Sequence, residues 1–215
     1  MQRRNFTIAV TIDAIAVVAT THPVVDETTA PRRMLLVAGE ERELAPHFDV
    51  VRLEPIARTA RSIEIVERVC ALLEAPPIAV DGRAPHRLEN APIPVILVDV
   101  TGAARPVLDL LGDRGVPARG IGLVGAGGEV SAASQTVAER EPLARLAALM
   151  ARGRVGLARG KTEERVRTSI LSASVEAANV GPALAIAIAV WSAERNSRPL
   201  FGHKSDLGLQ GGRGW

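Results

Sequence analysis

Asp99 is the residue whose position in the chain most favours chemistry. The apolar residues 95–98 precede it, and their composition is typical of a strand that is buried on both faces of a sheet. A Thr101-Gly102 turn follows and leads toward a helix, and α/β sheets bind their ligands at the carboxyl ends of such strands. Asp99 is therefore a candidate site residue, and capping of the turn is its alternative role.

Two glycine motifs come close to phosphate-binding patterns without matching them. Residues 120–125 contain Gly120, Gly122 and Gly125, but the apolar strand begins inside this motif rather than before it. Residues 156–162 read GLARGKT, which leaves three residues between the glycines where a phosphate-binding loop requires four. The sequence therefore indicates neither a dinucleotide site nor a nucleotide triphosphate site.

Histidine and cysteine offer little to a metal site. The single cysteine, Cys70, excludes an intramolecular disulfide framework and a cysteine-based zinc cluster, and this usage fits a cytoplasmic protein. The histidines have no metal-ligand spacing and fall in predicted loops, where we expect them at the surface: His22, His47, His86 and His203.

Composition predicts one compact domain that packs mainly through aliphatic side chains. The 215 residues are 47% hydrophobic, 23% charged and 2% aromatic, so there is material for one core and little for stacking nucleic-acid bases. The formal net charge of +2 is too small to indicate a nucleic-acid partner by itself. The longest late apolar run, residues 183–193, is too short to span a bilayer, so we expect no membrane partner.

Hydrophobic periodicity and turn residues predict a mixed sheet flanked by helices. Three strands in a meander come first, and strands then alternate with helices, which is the order found in ribonuclease-H-like folds. We expect this domain to span residues 1–195, with a flexible tail at 196–215. The predicted strands are 6–20, 34–38, 48–53, 95–98, 120–124 and 154–158, and the predicted helices are 62–73, 105 to 112 or 115, 142–150, 162–172 and 182–195.

The segment LVDVTGAARPVLDLL, residues 97–111, resembles the V-D-A-T-G turn of a known family. That family is the ribonuclease-H-like nuclease domain at the C-terminus of phage terminase large subunits. Residues 48–73 are similar to its third strand and following helix, 137–160 to its helix and short strand after the glycine-rich loop, and 183–191 to its last helix. The resemblance spans residues 6–191.

This resemblance implies a nuclease that uses two divalent cations, Mg²⁺ or Mn²⁺, held by carboxylates at three places in the fold. These places are the first strand, the strand that ends in the turn, and the start of the last helix. Of them, only the turn keeps its acid, Asp99, because the first-strand position falls on Thr11 and the last-helix positions fall on Val180 and Gly181. Asp13 and Glu176 are the nearby acids that would substitute.

We therefore expect an eroded two-metal site and an inactive domain that binds nucleic acid or packaging proteins and needs no cofactor. The alternative is an active Mg²⁺-dependent endonuclease with Asp13, Asp99 and Glu176 as catalytic residues and with Asp13 and Asp99 as metal ligands. DNA contacts are predicted for a basic run, although a solvated helix end explains the same residues: Arg152, Arg154, Arg159, Lys161 and Arg165.

Overall fold

The computed structural model describes residues 5–21, 46–101, 104–125, 135–157 and 181–197. The strands in these residues are β1 (Asn5–Val10), β2 (Ala14–Thr21), β3 (His47–Pro55), β4 (Val95–Asp99), β5 (Arg119–Val124), β6 (Gln135–Ala138) and β7 (Val155–Leu157). The helices are α1 (Ser62–Leu73), α2 (Arg105–Asp113), α3 (Arg140–Ala151) and α4 (Gly181–Asn196), and a short 3₁₀ turn spans Pro85–Arg87.

The strands form one mixed sheet in the order β6-β5-β4-β1-β2-β3-β7. Strand β2 is antiparallel to its neighbours β1 and β3, whereas β1, β4, β5 and β6 pair in parallel and so do β3 and β7. Strands β1, β3, β4 and β5 consequently end at the same side of the sheet, which we call the carboxyl edge. The opposite side is the amino edge.

The two faces of the sheet are covered by different pairs of helices. Residues of α3 and α4 pack on one face, and residues of α1 and α2 pack on the other. Ten of the sixteen residues of α4 are buried, because this alanine-rich helix lies in the core rather than at the surface. No helix in the described ranges is both long and apolar enough to cross a membrane.

The strand predicted over residues 6–20 is wrong in one respect, because a turn divides it into β1 and β2. The backbone N–H of Thr11 donates to the carbonyl oxygen of Ala14 at 2.9 Å and closes this turn. The apolar residues on its two sides form two antiparallel strands with Val10 opposite Ile15. The predicted meander is therefore present, but β1, β2 and β3 form it.

The other predicted elements within the described residues are confirmed to within a few residues, and strand β6 is additional. Residues 34–38 and 162–172, predicted as a strand and a helix, lie outside the described residues, as does the predicted tail beyond Ser197. His86, predicted at the surface, is half-buried, and its two ring nitrogens are fully buried.

Candidate functional site

Asp99 ends β4 at the carboxyl edge, and its side chain closes the turn that follows. Only 8% of the residue is exposed, and its Oδ1 accepts the backbone N–H of Thr101 at 2.9 Å. The Thr101 hydroxyl donates to the carbonyl oxygen of Leu123 at 3.2 Å and accepts the Leu123 N–H at 2.7 Å. These two hydrogen bonds connect the turn to β5. Burial raises the pKa of Asp99, and its hydrogen bonds with Thr101 oppose this effect. The capping role left open by the sequence is thus present.

Thr11 lies at the level of Asp99 on the neighbouring strand. Val10 of β1 pairs with Val98 of β4, so Thr11 and Asp99 each follow a paired residue. Thr11 is 3% exposed, and its hydroxyl donates to the carbonyl oxygen of Ala14 at 3.2 Å and accepts the Ala14 N–H at 3.1 Å. The position where the resemblance implies a carboxylate therefore carries a hydroxyl that is bound within its own turn.

Asp13 lies in the turn between β1 and β2 and contacts two other parts of the chain. Its Oδ1 is 3.7 Å from Nε of Arg58, and its backbone carbonyl oxygen accepts the N–H of Ile56 at 2.8 Å. On another side it lies against Gly181, the first residue of α4. A β-carbon at position 181 would overlap Cβ of Asp13 and lie 2.7 Å from its Oδ2. The first-strand turn and the start of the last helix therefore meet.

These side chains do not fit a pair of divalent cations. Two adjacent cations require several oxygen ligands, and carboxylates must offset their charge. Here one carboxylate caps a turn, the other lies beside a guanidinium, and Gly181 has no side chain to contribute. Within the described ranges, no group of three or more His, Cys, Asp or Glu residues could hold a metal ion. Glu176 lies outside the described residues.

The described part of the predicted basic run lies at the amino edge, away from Asp99. Arg154 precedes Val155, which pairs with Phe48 near the start of β3. Its guanidinium donates from Nε and Nη2 to the carbonyl oxygen of Pro46 at 3.1 and 2.9 Å, and it lies 5.8 Å from the centre of the Phe48 ring. Burial is the main cause that lowers the pKa of Arg154. The Arg154 side chain therefore connects the start of β7 to Pro46, the residue that precedes β3.

The other residues of the basic run give less structural information. Arg152 is exposed at the C-terminal end of α3, so its guanidinium is accessible to a ligand. Arg159, Lys161 and Arg165 lie outside the described residues. The structure therefore brings only Arg152 and Arg154 near each other, and it separates both from the carboxyl edge.

Sequence reasoning missed two arginines at the carboxyl edge, Arg58 and Arg61. Both lie in the segment between β3 and α1, and their side chains are 80% and 78% exposed. They border a cleft of about 660 Å³, and the residues that line it include Ile12, Asp13, Arg58, Arg61, Ser62 and Ala104. The signal in the sequence was the segment RTARS, residues 58–62, which places basic residues between a strand and the start of an amphipathic helix.

The resemblance to terminase nuclease domains rests on residues of this chain, chiefly the turn at Asp99 and the last helix. In the structure, the turn at Asp99 lies at the end of the central strand β4. The last helix, α4, packs on the same face of the sheet as α3. Comparisons of the chain with models of protein families, with curated proteins and with solved structures found no match.

Proposed function

We propose that the chain is a ribonuclease-H-like domain, related to the nuclease domain of phage terminase large subunits, in which the two-metal site has been lost. In this proposal the domain binds nucleic acid or a partner protein during phage DNA packaging and does not cut DNA. Such a protein would act in the cytoplasm of the infected cell and would need no metal cofactor.

The strand order supports the fold assignment within this proposal. Strands β3, β2 and β1 form an antiparallel meander, and β4 and β5 extend it in parallel from β1. This is the arrangement that the order of elements in the sequence predicts for a ribonuclease-H-like domain. Helices on both faces and an acid at the end of β4 agree with the same assignment.

The main support for a loss of activity is the position of Thr11 and the hydrogen bonds of its hydroxyl. It lies at the level of Asp99, where a second carboxylate would share a metal ion, and its hydroxyl is hydrogen-bonded to Ala14 instead. The charge of two cations cannot be offset by Asp99 alone, because hard divalent ions are held by several oxygen ligands.

A working Mg²⁺-dependent endonuclease is the second candidate, with Asp13, Asp99 and Glu176 as its acids. One observation favours it, namely that Asp13 contacts the start of α4 and so approaches the last-helix position of the implied site. The ion pair of Asp13 with Arg58 opposes it, because a guanidinium beside the carboxylate disfavours binding of a cation there.

The experiment that tests the proposal is cleavage of supercoiled plasmid DNA in Mg²⁺ and in Mn²⁺. The parent chain and the Asp99→Asn variant are purified in the same way and compared at equal concentration. We expect no cleavage above the level of the variant in either metal. Cleavage by the parent that is lost in Asp99→Asn would overturn the proposal and establish the endonuclease.

A further inference from the structure

The cleft at the carboxyl edge contains a guanidinium, that of Arg58, beside the carboxylate of Asp13. Asp13 is 32% exposed at the side chain, and Arg58, 80% exposed, approaches its Oδ1 to 3.7 Å. Exposed ion pairs contribute little to stability, so this contact leaves the guanidinium free to bind another anion. Arg58 thus places positive charge beside Asp13, one of the two acids predicted as metal ligands.

Arg61 adds a second guanidinium at the rim of the same cleft. Its Nε donates to Oε1 of Glu64 at 2.8 Å, and this contact is the main cause that lowers the pKa of Glu64. The two terminal nitrogens of a guanidinium remain available to a ligand when Nε is engaged. The exposed Arg105 at the start of α2 adds a further positive charge at this edge.

We propose that this cleft binds a phosphodiester group of nucleic acid without a divalent metal, with Arg58 in the role of the cation and Arg61 as a second phosphate contact. This inference rests on the proposed function. It places the nucleic-acid-binding surface at the carboxyl edge rather than at the basic run near Arg154. The guanidinium suits the role because its planar fork matches the geometry of phosphate oxygens.

The shape of the cleft agrees with a phosphate of a polymer rather than a buried small molecule. It is open at the arginines, and the exposed Ile12, at 43%, stands at its border. The described residues that line it offer no Phe, Tyr or Trp on which a base could stack. Contacts of this kind read the backbone and not the base sequence.

The test measures binding of a short fluorescently labelled DNA duplex by fluorescence anisotropy, in EDTA and in Mg²⁺, over a series of salt concentrations. We expect binding to persist in EDTA. Arg58→Glu and Arg61→Glu should each weaken it about tenfold and reduce the slope of log affinity against log salt by about 1. Arg119→Glu, which makes the same charge change at the exposed first residue of β5 on the amino edge, should leave the affinity within about twofold of the parent, and Arg152→Glu tests the basic run separately.

The outcomes separate this inference from the proposed function. If the parent binds DNA but Arg58→Glu binds as well as the parent, or if EDTA abolishes binding, the inference is overturned and nucleic-acid binding stands. If Arg152→Glu weakens binding and Arg58→Glu does not, the contact surface is the basic run. If the parent binds no duplex, both the inference and the nucleic-acid branch of the proposed function are overturned. Circular dichroism checks that these exposed substitutions leave the fold intact.

Discussion

Asp13 lies so close to Gly181 that a β-carbon at position 181 would overlap the β-carbon of Asp13 and lie 2.7 Å from its Oδ2. Only glycine fits there without movement of the turn or of the helix. The contact joins the turn between β1 and β2 to the first residue of α4, and it therefore couples the sheet edge to the most deeply buried helix of the described structure.

Gly181→Ala should destabilise the protein, because the new methyl group overlaps Asp13. Overpacking of this kind typically costs about 1 to 3 kcal/mol. Denaturation in urea measures the change in free energy of unfolding. The double variant Asp13→Gly with Gly181→Ala removes the overlapping side chain and should recover most of the loss. If Gly181→Ala alone is as stable as the parent, this contact is absent in solution.

A site with three acids can be rebuilt only if Asp13 is removed, because an aspartate at 181 would collide with it. The variant Thr11→Asp, Asp13→Gly, Gly181→Asp places carboxylates at the three implied positions, with Asp99 as the third. Mn²⁺ that binds only the native state should raise its stability by about 2.7 kcal/mol at a hundredfold excess over the dissociation constant. Thermal midpoints with and without Mn²⁺ measure this effect.

The parent chain is the control for this rebuilt site, and it should show a much smaller shift in Mn²⁺. Equal shifts in the parent and in the triple variant would show that positions 11, 99 and 181 do not converge. The alignment of the first strand and the last helix with the terminase pattern would then be wrong.

Asp99→Asn should stabilise the protein at neutral pH and have little effect in acid. Burial raises the pKa of Asp99 above its ordinary value of 3.8, so the native state binds its proton more tightly than the unfolded state does. The contribution of Asp99 to stability is therefore full below the ordinary pKa and is lost as the pH rises through the folded pKa. Asparagine keeps an acceptor for Thr101 and carries no charge.

Urea denaturation of the parent and of Asp99→Asn from about pH 4 to pH 7 checks this prediction. The difference in unfolding free energy should grow with pH. A difference that is constant over this range would mean that the carboxylate is ionised to the same degree in both states.

His86 should make the fold less stable in mild acid. Burial lowers its pKa below the ordinary value of 6.5, and the neighbouring Arg87 lowers it further, whereas Glu74 raises it. Both ring nitrogens are buried and have no hydrogen-bond partner among the described residues. The unfolded state therefore binds the proton more readily, and stability falls as the pH drops from about 6.5 toward the folded pKa.

His86→Leu removes this titration. The thermal midpoint of the variant minus that of the parent should therefore rise as the pH falls below about 6.5. Thermal midpoints at a series of pH values measure both proteins. Parallel curves for parent and variant would show that His86 is as solvated in the native state as in the unfolded state.

Local sequence determined several elements of this fold, because periodicity and turn residues act over a few positions. The alternation of apolar and charged residues in 62–73 predicted α1, and the apolar run before Asp99 predicted β4; the structure confirms both. The strand predicted over 6–20 was wrong at its turn, because apolar residues continue on both sides of Thr11. Strand β6 was missed because it directly follows a stretch rich in glycine and serine, a composition that indicates a loop.

Tertiary structure alone decided which residues form the candidate site. Asp13, Arg58 and Gly181 are far apart in the chain, and they meet because the turn, the β3–α1 segment and the start of α4 reach the same edge of the sheet. The register of β1 on β4 sets Thr11 at the level of Asp99. Contacts between distant segments depend on strand order and pairing register, and a local pattern of residues does not specify either of them.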